Sequence, residues 1–130
     1  MVSNIKASGY NFRYNTKQWL AFASFMDFVY EQQRQLDDDL PRIVILRSVA
    51  QSQISHDRGV NASSLADALN LPRETVRRKC LTMVEDGWLK REGDAFRLGE
   101  RLGPEVFSIY EENIERLMMV SKDIQAGRNS

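Results

Sequence analysis

A chain of 130 residues, 42% of them hydrophobic, has room for one core and the side chains to fill it, which excludes a disordered polypeptide. Its 18 basic and 18 acidic residues cancel, so affinity for nucleic acid has to come from a local patch rather than from a global field. The single cysteine, Cys80, and the single histidine, His56, exclude an intramolecular disulfide and leave no ligand set for a Cys/His zinc centre, so no metal and no other cofactor is expected.

The amino-terminal stretch has no apolar core of signal-peptide length, and no run of about 18 uncharged apolar residues occurs. The expectation is a protein without a membrane partner, cytoplasmic and nucleoid-associated. Residues 1–15 lack a clear period and read as an arm. Thr16 is placed to cap a helix running to about Leu36. Its residues Trp19, Leu20, Phe22, Ala23, Phe25, Met26, Phe28, Val29 and Tyr30 point in too many directions for one face, as in a helix buried on two or more sides. Asp37, Asp38 and Asp39 precede Leu40-Pro41, where acidic groups favour the amino end of a following helix. A cation site is the competing reading of this run.

The second helix is predicted over 41–54, with Ile43, Val44, Leu46, Val49, Ala50 and Ile54 facing the core. Ser55 to Asn61 makes a loop in which His56 reads as an exposed bystander. A short helix from Ala62 to Asn70 turns Leu65, Ala66 and Leu69 inward, and Asn70-Leu71-Pro72 forms the turn. Pro72 suits a first helical position of the next helix, which carries Val76, Cys80, Met83 and Val84 as one stripe and ends at Gly87. Two short runs, 88–92 and 95–98, flank Gly93-Asp94, a connection that closes a hairpin. Pro104 opens a last helix to about Ile124, with Val106, Phe107, Tyr110, Ile114, Leu117, Met118 and Ser121 near heptad spacing. The tail from Gln125 is expected to fray.

With Val76 as origin and 100° per residue, Glu74, Arg78, Thr82 and Glu85 lie opposite the apolar stripe of the 72–87 helix. Arginine can grip guanine O6 and N7 with two hydrogen bonds, and glutamate can accept from the cytosine amino group. Arg73, Glu74 and Arg78 are therefore the candidate base readers. Thr75, Arg77, Lys79, Lys90, Arg91 and Arg97 lie at the start or flanks, where phosphate contacts come more easily. Between residues 72 and 91, six basic residues face three acidic ones, so the local patch exists. Glu74 could instead pair with Arg77 or Arg78 along the helix.

Residues 60–98 thus read as a winged helix-turn-helix. The string RETVRR at 73–78 resembles the recognition helix of the catabolite activator family, whose Arg, Glu and second Arg read bases; these correspond to Arg73, Glu74 and Arg78. The stretch TVRRKCLTMVEDGWLKREGD is similar to the helix-into-wing segment of the GntR, IclR and MarR regulator families. The order of flanking helices resembles MarR proteins, in which terminal helices of two subunits build the dimer. The wing is shorter than in MarR proteins and acidic at its tip, so recognition is expected to rest on the helix.

The expected fold is mainly α with a small β-hairpin wing, a winged helix-turn-helix whose extra amino- and carboxy-terminal helices form a dimer interface. Within one compact domain, 1–15 is an arm, 16–58 the amino-terminal helices, 59–99 the DNA-binding region and 100–130 a dimerisation helix and tail. The expected function is that of a sequence-specific transcriptional regulator binding double-stranded DNA, at a palindromic operator, as a homodimer. The alternative is a winged-helix interaction or assembly module, in which the arginines meet an acidic partner. No nucleophile elbow, phosphate-binding glycine loop or metal cluster points to an enzyme. Cys80 reads as core, with a redox role as its competitor. Tyr10, Phe12, Tyr14, Trp19, Phe22 and Phe25 pack in a core or interface, or line a pocket for a small aromatic effector.

Overall fold

The computed structural model describes the backbone of residues 4–7 and all atoms of residues 9–128. Among these, the chain is mainly helical with small antiparallel sheets. In order it forms β1 (Asn4–Ala7), β2 (Tyr10–Asn15), α1 (Thr16–Leu36), α2 (Leu40–His56), β3 (Val60–Asn61), α3 (Ala62–Leu69), α4 (Arg73–Glu85), β4 (Leu89–Glu92), β5 (Ala95–Leu98) and α5 (Pro104–Gly127). None of the described helices is long and apolar enough to cross a membrane. The contacts divide the chain into two compact units. One runs from Gln33 to Phe107, and the other joins the residues up to Gln32 with those from Ser108 on.

In the continuous unit, α2, α3 and α4 enclose a core with the sheet β3-β5-β4. Ile43, Ile45, Leu46 and Val49 of α2, Leu65 and Ala66 of α3, Val76, Cys80 and Met83 of α4, and Trp88, Leu89 and Phe96 are all buried. The spacing Val76, Cys80, Met83 is the i, i+4, i+7 stripe expected of a helix buried on one side. Ile45 and Ile54 reverse their expected places. Ile45 is completely buried, whereas Ile54 is 78% exposed in the last turn of α2. Val84 is half-buried.

Several helix ends have a local chemical cause. Asp39 caps α2, accepting the Arg42 N–H at 3.3 Å, and Asn61 caps α3, accepting the Ser64 N–H at 2.8 Å. Asn70 closes α3 in the left-handed conformation at φ 54°, and Pro72 lies just outside α4, as its N-cap, rather than inside its first turn. After Glu85, the Gly87 N–H bonds to the Val84 carbonyl and the Trp88 N–H to the Met83 carbonyl, a Schellman closure whose buried Met83 and Trp88 supply the accompanying apolar pair.

The hairpin β4–β5 pairs Glu92 with Ala95 across the Gly93-Asp94 turn, with Gly93 at φ 62°. A positive φ at the first turn position alone is the II′ arrangement, which glycine adopts without a steric penalty. The loop expected over 55–61 contains a strand: Val60 and Asn61 pair with Phe96 and Ala95 of β5. At the hairpin base Gly99 crosses the Gly87 carbonyl so closely that any Cβ would collide with it. The Arg101 guanidinium lies 4.3 Å from the Trp88 ring centroid.

The other unit differs more from expectation. Within the stretch read as an arm, the described residues 4–7 and 10–15 form β1 and β2, which pair antiparallel, Ala7 opposite Tyr10. Asn15, not Thr16, caps α1 in a reciprocal box: the Gln18 N–H bonds to Asn15 Oδ1 and the Asn15 N–H to Gln18 Oε1, each at 2.9 Å. These same two side chains reach the far end of the chain, Asn15 Nδ2 donating to the Gly127 carbonyl at 2.9 Å and Gln18 Nε2 to the Ile124 carbonyl at 2.8 Å. Carbonyls of a last helical turn lack intrahelical donors, and here side chains supply them, so α5 continues to Gly127 where fraying was expected. Helix α1 is not buried on several sides. Gln18 is its one buried residue, while Trp19, Leu20, Phe22, Met26 and Tyr30 are 43–58% exposed.

Candidate nucleic-acid interface

Helices α3 and α4 with the hairpin β4–β5 bring the predicted basic residues to one region of the continuous unit. The α4 stripe of Val76, Cys80 and Met83 faces the core, so geometry obliges Glu74, Arg78, Thr82 and Glu85 to face outward, and all four are exposed. Arg73 is exposed at the first position of α4, and Thr75 is half-buried. The side chains of Arg73, Arg78 and Lys90 have no hydrogen bond or ion pair among the described residues, which leaves their charged donors to solvent or to a ligand.

The other candidates are engaged within the chain. Arg77 Nη1 lies 3.4 Å from Glu74 Oε1, a pair exposed on both sides and therefore weak. Arg91 Nε donates to the Gly93 carbonyl at 3.1 Å, which fixes its guanidinium beside the hairpin turn. Arg97 is held by Asp57, Nη2 to Oδ1 at 2.7 Å, with Glu92 at 3.7 Å from its Nε. Lys79 is held by Asp39, Nζ to Oδ2 at 2.6 Å. Reaching a phosphate would require Lys79 and Arg97 to give up these partners.

Sequence reasoning gave no sign of the acidic cluster's second role. Asp39 caps α2 and also grips Lys79, Asp37 Oδ2 lies 3.0 Å from Arg42 Nε, and Arg42 Nη2 bonds to Asp86 just beyond α4. The run at 37–39 thus fastens α4 to the start of α2. Burial alone would raise the Asp39 carboxyl pKa. The hydrogen bonds from Lys79 and the Arg42 N–H, with the charges of both residues, outweigh burial and hold it below the usual carboxylate value.

Cys80 is fully buried on the inward face of α4, and burial pushes its thiol pKa up to about 11. No group of three or more His, Cys, Asp or Glu residues able to hold a metal ion occurs among the described residues. His56 is exposed.

Two cavities bear on ligands. One, of about 260 Å³, is lined by Asn61 and Ser63 at the start of α3, by Arg73, Arg77 and Leu81 of α4, and by the hairpin around Arg91. The other, in the discontinuous unit, measures about 430 Å³ and is lined by Phe12, Tyr14, Gln18, Trp19, Phe22 and Ile124. Four of the six aromatic residues singled out from the sequence line it, whereas Tyr10 and Phe25 do not. Trp19 meets Phe12 edge-on at 6.0 Å between ring centroids, and Phe22 at 5.9 Å.

Compared with protein-family models, the chain matches none, and compared with curated proteins it matches none.

Proposed function

We propose that this chain is a sequence-specific regulator that binds double-stranded DNA through a winged helix-turn-helix formed by α3, α4 and the β4–β5 hairpin, and that it acts as a homodimer on a palindromic site. The observation that carries the reading is Arg78. It stands exposed on the outward face of α4, without a protein partner among the described residues, one turn from Glu74 and opposite a fully buried stripe. An arginine so placed can present two donors to guanine O6 and N7 when the helix enters a major groove. Tight anchorage supports the same reading, because the Asp39–Lys79 and Arg42–Asp86 pairs and the Schellman closure fix the axis of α4.

The homodimer rests on the discontinuous unit, where Trp19, Leu20, Phe22, Met26 and Tyr30 of α1 and Ile114, Leu117, Met118 and Met119 of α5 are large apolar side chains left exposed in a single chain. A second copy presents a surface of the same composition, and a two-fold pair offers two α4 helices to the two halves of a palindrome. The aromatic cavity of that unit suits a small aromatic effector, whose binding there would be coupled to the dimer.

The zero net charge and the acidic hairpin tip, Glu92 and Asp94, favour a second reading in which α4 meets a protein. Selection of bound duplexes from a random pool separates the two. A palindrome recovered with regular half-site spacing supports the regulator. A pool that shows no enrichment and no binding at low salt supports the interaction module.

A further inference from the structure

Arg73 and Arg78 belong to the same helix but not to the same face. At 100° per residue they are separated by about 140° around the axis, whereas Arg73 and Arg77, or Glu74 and Arg78, are separated by about 40°. Arg73, Arg77 and Leu81 accordingly form one stripe that lines the cleft beside the hairpin, while Glu74 and Arg78 look outward. The hairpin brings a third guanidinium, Arg91, to this cleft and fixes it through the Gly93 carbonyl. The opposite wall is the start of α3, Asn61 to Ser63, where Asn61 Oδ1 is occupied by the Ser64 N–H.

We infer that this cleft seats a backbone phosphate of the duplex, held jointly by Arg73, Arg77 and Arg91, which makes Arg73 a phosphate ligand and leaves Arg78 as the arginine that reads sequence. The inference rests on the DNA-binding function proposed above. Three guanidinium groups line about 260 Å³ against one lining carboxylate, Asp94, so the cleft carries an excess of positive charge. Arg77 is only loosely held by exposed Glu74 at 3.4 Å and can turn to a better acceptor. A tetrahedral phosphate accepts several guanidinium forks at once, which a single carboxylate does not, and the amide dipoles at the start of α3 add to the attraction. At about 260 Å³ the cleft admits one phosphate group with its water. Because Arg91 comes from the hairpin and the other two from α4, one phosphate would fix the hairpin against α4 on the duplex.

The test has two arms on the full chain. In the first, isotope-labelled protein is titrated with pyrophosphate and followed by amide resonances. Saturable shifts confined to residues 61–63, 73–77 and 91–94, abolished in Arg73→Ala and in Arg91→Ala, are expected, and their absence overturns the cleft even if the duplex still binds. In the second, affinity is measured against salt on a selected and on a random duplex. Arg73→Ala, Arg77→Ala and Arg91→Ala should each flatten the log–log salt slope by about one and weaken both duplexes by the same factor. An Arg73→Ala variant that loses affinity for the selected duplex alone overturns the inference while leaving DNA binding intact. Pyrophosphate bound with no duplex bound by the wild type overturns the phosphodiester assignment together with the proposed function, and gives the cleft to a free phosphate compound. Unchanged thermal melting of the variants, whose substituted side chains are all exposed, establishes that each is folded.

Discussion

Lys79 Nζ lies 2.6 Å from Asp39 Oδ2, so the middle of α4 is fastened to the residue that caps α2. The same carboxylate accepts the Arg42 N–H, so one side chain serves both as a cap and as a tether between helices. Removing the side chain in Asp39→Ala loses both roles and should cost about 1–2 kcal/mol of stability, whereas Asp39→Asn keeps the cap and should cost less than about 1 kcal/mol. The folded-state pKa of Asp39 is depressed, so its contribution is present above the unfolded carboxyl value of about 3.9 and is lost as pH falls through the lower folded value. Urea melts of wild type and Asp39→Asn should therefore differ at pH 7 and converge in strong acid. A gap that persists or widens in acid contradicts the tether.

Arg78→Ala should weaken binding to a selected duplex by about 1–3 kcal/mol and relax one base preference, with little effect on random duplex. Competition binding with single-base variants of the selected site measures this. Equal loss on all sequences would remove Arg78 from the reading face.

Ile45 and Ile54 offer a direct test of how α2 is rotated. Ile45→Ala should cost about 2–5 kcal/mol because the side chain is completely buried, and Ile54→Ala should stay within about 0.5 kcal/mol because it is 78% exposed. Denaturant midpoints read both, and the opposite order would mean that α2 presents its other face.

Cys80 should be inert towards a thiol reagent at neutral pH in the native protein and react at once in denaturant, since its thiol is fully buried and titrates near 11. Labelling on mixing, without denaturant, would contradict the burial and revive a redox role.

Leu117→Glu places a charge at the centre of the exposed apolar surface of α5, where the native side chain is 50% exposed. Sedimentation should show a folded monomer in place of a dimer, with duplex affinity reduced because the second half-site is lost. A wild-type chain that is already monomeric at the concentrations of the binding assay removes the homodimer.

What the sequence makes legible follows from how local the causes are. Asn61, Asn70, Pro72 and Gly87 act on their own neighbourhood, and the helices they bound lie within one to three residues of expectation. The hairpin at Gly93 is equally local. Strand β3 is only two residues long and exists because Phe96 and Ala95 lie beside it, which no window around Val60 reveals. The Asp39–Lys79 pair spans 40 residues, so the tethering of one predicted phosphate ligand had no sequence signal. The alternation of Tyr10, Phe12 and Tyr14 did carry a strand signal, and the short length of the segment obscured it. Facing was harder than position: Ile45 and Ile54 are chemically identical, and only the packing partners of α2 decide which is covered.

The bonds from Asn15 and Gln18 to the carbonyls of Gly127 and Ile124 impose an order of events on folding. The unit from Gln33 to Phe107 is a continuous piece of chain. The unit they belong to is split between the two ends of the described chain, and its cap-to-cap contacts join residues 112 and 106 positions apart. Loop-closure entropy makes such contacts late and slow to form. Nascent chains should therefore hold a finished α4 while the apolar side chains of α1 still wait for α5, the interval in which this protein is most exposed to aggregation and to chaperones.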